Sequence, residues 1–166
     1  EEELPWTMYA QSTRSRILSP CPHCEAWIAP EREDLYGWRE ARSDVQAAEL
    51  GRFYCRACGE SIDDEERIAA VRDSLLVHDG QTVDKQGRVI GDPPETLRLW
   101  FRWSAWHNLL LSAGDVAVDE WRAAQIEPET KASEEAEKAL CQFVWCRPYK
   151  PPQLVIAPLA AGDVAR

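Results

Sequence analysis

The sequence predicts an α+β chain, in which a tetracysteine zinc ribbon is followed by a small β-hairpin, a strand and a helical appendage. Three observations predict it. Two CxxC pairs, Cys21-Pro22-His23-Cys24 and Cys55-Arg56-Ala57-Cys58, stand thirty residues apart. Short apolar runs between and after them alternate with turn residues, as strands do. The last part of the chain instead repeats apolar residues at helical spacing.

Each CxxC sets two thiolates across a tight turn, and two such turns supply four sulfur ligands. Cys21, Cys24, Cys55 and Cys58 therefore form the donor set of a closed tetrahedral zinc site, with no position left for water or substrate. Pro22 stiffens the first loop, and Gly59 offers the positive φ with which such a knuckle ends. Two disulfides or four free buried thiols are the alternatives. Six cysteines in 166 residues is not the density of a disulfide-stapled secreted domain. A single iron accepts the same four sulfurs, so the ligand set is more specific than the metal.

Composition bounds the partners. The chain is 45% hydrophobic and 29% charged, a globular composition, and no apolar run approaches the roughly 18 residues of a membrane helix. It shows no secretory signal and opens on Glu1-Glu2-Glu3, which reads as a piece of something longer in a reducing cytoplasm. Nineteen basic against twenty-nine acidic residues give a net charge of −10. Such a chain repels phosphate backbones unless its cations gather on one face. A nucleic-acid grip is not expected; the residues available for one are Arg14, Arg16, Arg98, Trp100 and Arg102.

Taken in order, residues 1–13 read as a connecting arm whose Trp6, Met8 and Tyr9 lean on a neighbour. Residues 14–62 read as the ribbon: Ile17 and Leu18 in a strand that delivers Cys21, then Trp27 and Ile28 beside the metal. Pro30 to Asp34 is a charged turn, and Leu35 to Trp38 a second strand. Ala41 to Leu50 reads as a helix with Val45, Ala48 and Leu50 inward and Gly51 as its stop. Ser61 is expected to cap the next helix, with Asp64 completing the box. Its buried stripe would be Ile62, Ile68, Ala69, Leu75 and Leu76.

Residues 63–148 form the appendage. Thr82-Val83 and Val89-Ile90 flank Asp84-Lys85-Gln86-Gly87, a hairpin signature. From Leu97 to Ala105 the pattern alternates strictly, predicting a strand with Leu97, Leu99, Phe101, Trp103 and Ala105 on its apolar face. The other face, with Arg98, Trp100 and Arg102, is expected to be covered by a helix. Ser112 and Asp115 fit a capping box for a helix burying Val118, Trp121 and Ala124. A longer helix from Thr130 or Ser133 carries Ala132, Ala136, Ala139, Leu140, Phe143 and Val144 inward and ends at Arg147-Pro148. Cys141 and Cys146 are expected to be ordinary buried thiols. Residues 149–166 read as a Pro-rich linker.

No GxxxxGK[ST], HExxH or GxSxG motif occurs, and no Cys/His nucleophile pair is evident. His23, His78 and His107 read as surface or packing residues, so no catalytic residue is assigned. The ordered pieces do resemble a known family. Cys21 to Cys24, Tyr54-Cys55-Arg56-Ala57-Cys58-Gly59, Phe101 to Leu110 running into Ser112-Ala113-Gly114-Asp115, Glu120-Trp121-Arg122-Ala123-Ala124 and Phe143-Val144-Trp145 with Pro148-Tyr149 resemble the large terminase subunit of tailed bacteriophages, in its lambda-like branch.

The resemblance implies a DNA-packaging motor acting in the bacterial host cytoplasm, with an N-terminal ATPase, a C-terminal metal-dependent nuclease and the cysteine region between them. It implies that this chain is a non-catalytic connector or docking region with structural zinc. The implied partners are the ATPase and nuclease domains of the same chain, with the small terminase subunit or the portal as further partners. Asp163 is read as the approach to the nuclease, not as a catalytic residue. A stand-alone zinc ribbon that binds DNA or acts as an adaptor is the second reading.

Overall fold

The computed structural model describes residues 4–96 and 98–149; Glu1 to Glu3, Leu97 and the tail from residue 150, Asp163 included, lie outside the described residues. Helix α1 (Leu4–Ala10) sets the Trp6 and Tyr9 rings 5.3 Å apart. Strand β1 (Ser15–Pro20) follows and is the centre of the first sheet. It pairs antiparallel with β2 (Trp27–Ile28) and β6 (Leu75–Val77), and parallel with β9 (Phe101–Arg102). A second antiparallel sheet joins β3 (Leu35–Tyr36), β4 (Arg52–Tyr54) and β5 (Ser61–Ile62). Its register aligns Leu35, Phe53 and Ile62, all fully buried, across the three strands. The hairpin forms as read, β7 (Thr82–Val83) against β8 (Val89–Ile90), with Asp84 accepting the Gln86 and Arg88 N–H groups and Gly87 at φ +78.

Four longer helices carry the caps their sequences offer. Ser43 caps α2 (Asp44–Leu50), and Ser112 and Asp115 form the expected box on α4 (Ala113–Ala124). Thr130 caps α5 (Lys131–Ala139), which continues as a π-turn over Leu140–Val144 instead of an α-helix to that point. The fourth, α3 (Asp64–Arg72), starts two residues later than expected. Asp63 caps it with Glu66, because Ser61 and Ile62 are drawn into β5 beside the second knuckle.

The inward faces differ from the hydrophobic pattern. On α3 the buried residues are Arg67 and Ala70; Ile62 belongs to β5, and Leu75 with Leu76 belongs to β6. On α2 only Ala47 is buried, with Val45 65% exposed. On α4 the buried residues are Ala113, Gly114, Val116, Ala117 and Glu120, while Val118 and Trp121 flank the core and Ala124 is exposed. One contact explains both helices: α2 and α4 approach until a Cβ on Gly114 would lie 2.5 Å from the Ala48 carbonyl oxygen. Gly51 likewise faces Ala117 at a distance only hydrogen permits, and its φ of −60 shows that it is there for space and not as a left-handed stop. Small residues set this seam, so the larger Val45 and Leu50 turn outward. On α5 and its continuation Leu140 is buried but Ala132 and Ala139 are exposed, and Phe143 is 80% exposed.

The expected strand over residues 97–105 is the largest departure. Only Phe101 and Arg102 pair, and the faces do not hold as read: Leu99, Phe101 and Trp103 are about half exposed, Ser104 and Trp106 are buried, and Ala105 alone among the described residues of the expected apolar face is buried. Ala105–His107 instead make a single-turn 3-10 helix. Trp106 turns in because its indole N–H donates to Ser19 Oγ at 2.9 Å and its ring meets Phe53 edge-on at 5.3 Å. Phe53 also meets Trp145, at 6.3 Å, so one core runs through both the ribbon and the helical residues.

Two charged clusters hold this core. Buried Arg67 donates to the carbonyls of Ala105, Trp106 and Leu111, while Asp64 accepts the Ala113 N–H at 3.0 Å. Arg32 reaches both oxygens of Glu120 at 2.8 Å and also pairs with Glu137; Glu120, 1% exposed, takes the Trp145 indole N–H at 2.6 Å as well. Around the same turn Glu31 pairs with Arg102 and Arg147, and Glu33 with Arg147 at 2.6 Å.

Removing one partner of a buried ion pair strands the other. Arg32→Met is expected to cost about 3–5 kcal/mol in denaturant unfolding of metal-loaded protein, and Arg32→Met with Glu120→Gln to cost less than Arg32→Met alone. A double variant no more stable than Arg32→Met alone would contradict the assignment. The Arg147 guanidinium holds Glu33 at about 2, below its ordinary 4.5. A depressed carboxylate stabilises above its unfolded value and loses that contribution as pH falls toward its folded one. The stability difference between wild type and Glu33→Gln is thus expected in full at about pH 6 and to vanish near about pH 2.

Candidate metal centre

Both knuckles have one geometry. At the end of β1 the Cys21 N–H donates to the Ala26 carbonyl at 2.8 Å, and the Glu25 N–H returns to the Cys21 carbonyl at 3.0 Å. After β4 the Cys55 N–H donates to the Glu60 carbonyl at 3.0 Å, and the Gly59 N–H returns to the Cys55 carbonyl at 2.8 Å. The residue after each second cysteine takes a left-handed conformation, Glu25 at φ 59 and Gly59 at φ 79. Glycine announced the second of these; nothing about Glu25 announced the first.

The turns bring Cys21, Cys24, Cys55 and Cys58 together, with all four Sγ atoms within 4.8 Å of one another. The Cys21–Cys58 separation is 3.9 Å and the Cys24–Cys55 separation 3.8 Å. A sulfur tetrahedron with metal–sulfur bonds of about 2.3 Å has edges of about 3.8 Å, so the cluster could hold one metal ion. The two short separations cross between knuckles, which is what a shared ion requires. Cys21 and Cys55 are buried, Cys24 and Cys58 exposed. Burial pushes the Cys21 thiol up to about 12 and also raises Cys55, while the Ala26 N–H lowers Cys24. The Ala57 N–H points at Cys55 Sγ from 3.4 Å. A metal bound by all four thiolates would have no open position, so its chemistry would be to hold the turns together and not to activate water.

The remaining candidates are placed individually. His23 is exposed, and its Nε2 lies 2.9 Å from the Ser61 carbonyl, outside the sulfur cluster. His78 Nδ1 meets buried Ser15 Oγ at 2.7 Å. His107 is buried between Ile17 and Ser104, and burial lowers its pKa. Cys141 and Cys146 are half-buried, both raised by burial. Arg14 pairs with Asp79 and Arg102 with Glu31, while Arg16 and Arg98 are exposed. Trp100 lines an open groove of about 430 Å³ with Trp6, Tyr9, Phe101, Trp103 and Phe143.

Sequence reasoning missed the residues that bind the second knuckle to its surroundings. Arg56, inside that knuckle, pairs with Asp34, whose other oxygen accepts the Glu31 N–H at 2.8 Å. Burial raises the Asp34 carboxyl, opposed by the arginine. The signal was the charge run in the turn, which has no periodicity to show where it points.

These features define a ribbon-type metal module continuous with a helical layer. The family model described as phage terminase large subunit gpA, ATPase domain, matches residues 4–75. That stretch holds α1, both knuckles and α3, and it carries the likeness to the large terminase subunit that the motifs implied, in agreement with the lambda-like branch. The matched model bears the ATPase domain's description, and residues 76–166 lie beyond it. Among curated proteins and among solved structures, no match is found.

Two outcomes follow from the geometry. Cys55→Ser is expected to lose the bound metal and, with it, on the order of 10 kcal/mol of binding free energy available to folding, seen as ribbon unfolding by circular dichroism. Full folded signal with metal retained would contradict it. Glu25→Gly removes a left-handed side chain and is expected to stabilise the metal-loaded chain by about 1 kcal/mol; a loss of stability would argue against the symmetric knuckle.

Proposed function

We propose that the chain is a zinc-binding connector of a phage DNA-packaging terminase large subunit, whose parent protein is an ATP-driven translocase and endonuclease. It carries no catalytic centre of its own in this reading. Residues 14–62 act as the ribbon and 63–148 as the appendage, with 1–13 as an arm and 149–166 as a linker. The metal is zinc, bound by Cys21, Cys24, Cys55 and Cys58, and the setting is the host cytoplasm. One observation carries the reading: a closed four-sulfur cluster is locked by ion pairs into a core shared with the helices. That arrangement supports a structural role for the cluster.

The surface through which it acts is the aromatic groove. Phe101, Trp103 and Phe143 are exposed there at 47% or more, a patch of the sort that marks an interface. Its occupant is a neighbouring domain of the same large subunit, with the small subunit or portal as later contacts. DNA is not expected to bind directly, since Arg14 and Arg102 are already engaged by carboxylates and the net charge is −10.

Trp103→Ser with Phe143→Ser, made in the full-length large subunit, is expected to lower DNA packaging at least about tenfold, the effect of burying two large apolar side chains less well. ATP hydrolysis and nicking by that variant should change less than packaging does. Unchanged packaging would remove the docking role, and salt-dependent retardation of duplex DNA by the isolated chain would favour the DNA-binding alternative.

A further inference from the structure

Each CxxC supplies only two sulfurs, so a bound ion leaves when one knuckle swings away from the other. What opposes that swing, besides the ion, is whatever non-ligand atoms tie the knuckles in place. Each knuckle contains one side chain with polar reach between its cysteines, His23 in the first and Arg56 in the second.

His23 reaches across to the other knuckle. Its Nε2 lies 2.9 Å from the carbonyl oxygen of Ser61, in β5, three residues beyond Cys58. A carbonyl only accepts, so Nε2 carries the proton, and the ring is committed to this bond and not to the metal. Glu66 Oε2, 3.5 Å from the same nitrogen, closes the other side. Arg56 reaches away from the centre. Its Nε donates to Asp34 Oδ1 and its Nη2 stands 3.6 Å from Glu33. Asp34 is a firm anchor: it is 4% exposed and fixed by the Glu31 N–H.

We propose that His23 and Arg56 are positioning residues that latch the two knuckles together, His23 to the opposite knuckle and Arg56 to the acidic turn, and so set how slowly the centre releases its metal. The inference depends on the four-cysteine centre holding an ion and is independent of the terminase reading. The latches act on the opening of the cluster, so they govern the release rate while leaving the ligands as four sulfurs.

The test is metal release from the full chain to an excess of a colorimetric chelator, with the visible spectrum of cobalt-loaded protein as a second readout. His23→Ala and Arg56→Ala are each expected to release metal about 2- to 10-fold faster, the factor carried by one net hydrogen bond. His23→Gln, whose amide N–H can reach the same carbonyl, should restore most of the loss, and His23→Leu should not. Lys131→Ala, which removes an exposed ion pair with Glu135 on α5, should leave release unchanged. The four-thiolate cobalt spectrum should be the same in every variant. Release at the wild-type rate in both His23→Ala and Arg56→Ala would overturn the latch and leave the centre standing. A changed cobalt spectrum in His23→Ala would also overturn it, by making His23 a ligand. A wild-type chain that holds no metal would remove the centre and the latch together.

Discussion

Arg32 leaves the turn between the two knuckles and sets its guanidinium against Glu120 of α4 and Glu137 of α5. Its neighbours on that turn do the reverse: Glu31, Glu33 and Asp34 receive Arg102, Arg147 and Arg56 from three distant parts of the chain. Four residues thereby tie the second knuckle, the short strand β9, both late helices and the chain's exit from the helical layer. A buried ion pair adds little net stability over an apolar pair of the same size, because desolvation offsets attraction. Its effect is on which arrangement is reached. Glu120, with no solvent-exposed side-chain surface, accepts only a docking that delivers Arg32 and the Trp145 indole together.

This clasp sets what the sulfur cluster can do. The four cysteines lie in the ribbon, yet the core beneath them includes Trp106, Val116, Leu140 and Trp145. Energy from a metal bound there would therefore be coupled to the helices as well as to the knuckles. The same clasp consumes cations. Arg32, Arg56, Arg67, Arg102 and Arg147 all face carboxylates or carbonyls, so five cations of a chain with net charge −10 are engaged within the protein. An acidic body with an exposed aromatic face is suited to protein contact.

What the sequence made legible was local. The knuckles, the hairpin around Gly87, the Ser112–Asp115 box and the Thr130 cap each depend on residues within a few positions of one another, and each formed as read. The faces of the elements were not local properties. Arg67 lies inside α3 because four carbonyl-bearing residues from 105 to 111 converge on it, a fact no periodicity contains. Phe101 and Trp103 face outward because Trp106 finds Ser19 and Phe53, and Arg102 finds Glu31. On α2 and α4 the size of the seam, set by Gly51 and Gly114, outweighed the hydrophobic pattern. Of the cluster itself the four cysteines were legible, while Glu25, Arg56 and Asp34 were not, since their places arise from backbone shape and from charge pairing across the fold.

A cysteine cluster that shares its core with the helical layer should fold with it as one body. The decisive measurement is hydrogen exchange across the chain before and after a chelator strips any bound metal. Protection is expected to fall together in the knuckles, in β3–β5 and in α4 up to Glu120. Protection lost from the knuckles while α4 keeps its own would contradict it, and would make the ribbon and the helices two independent units.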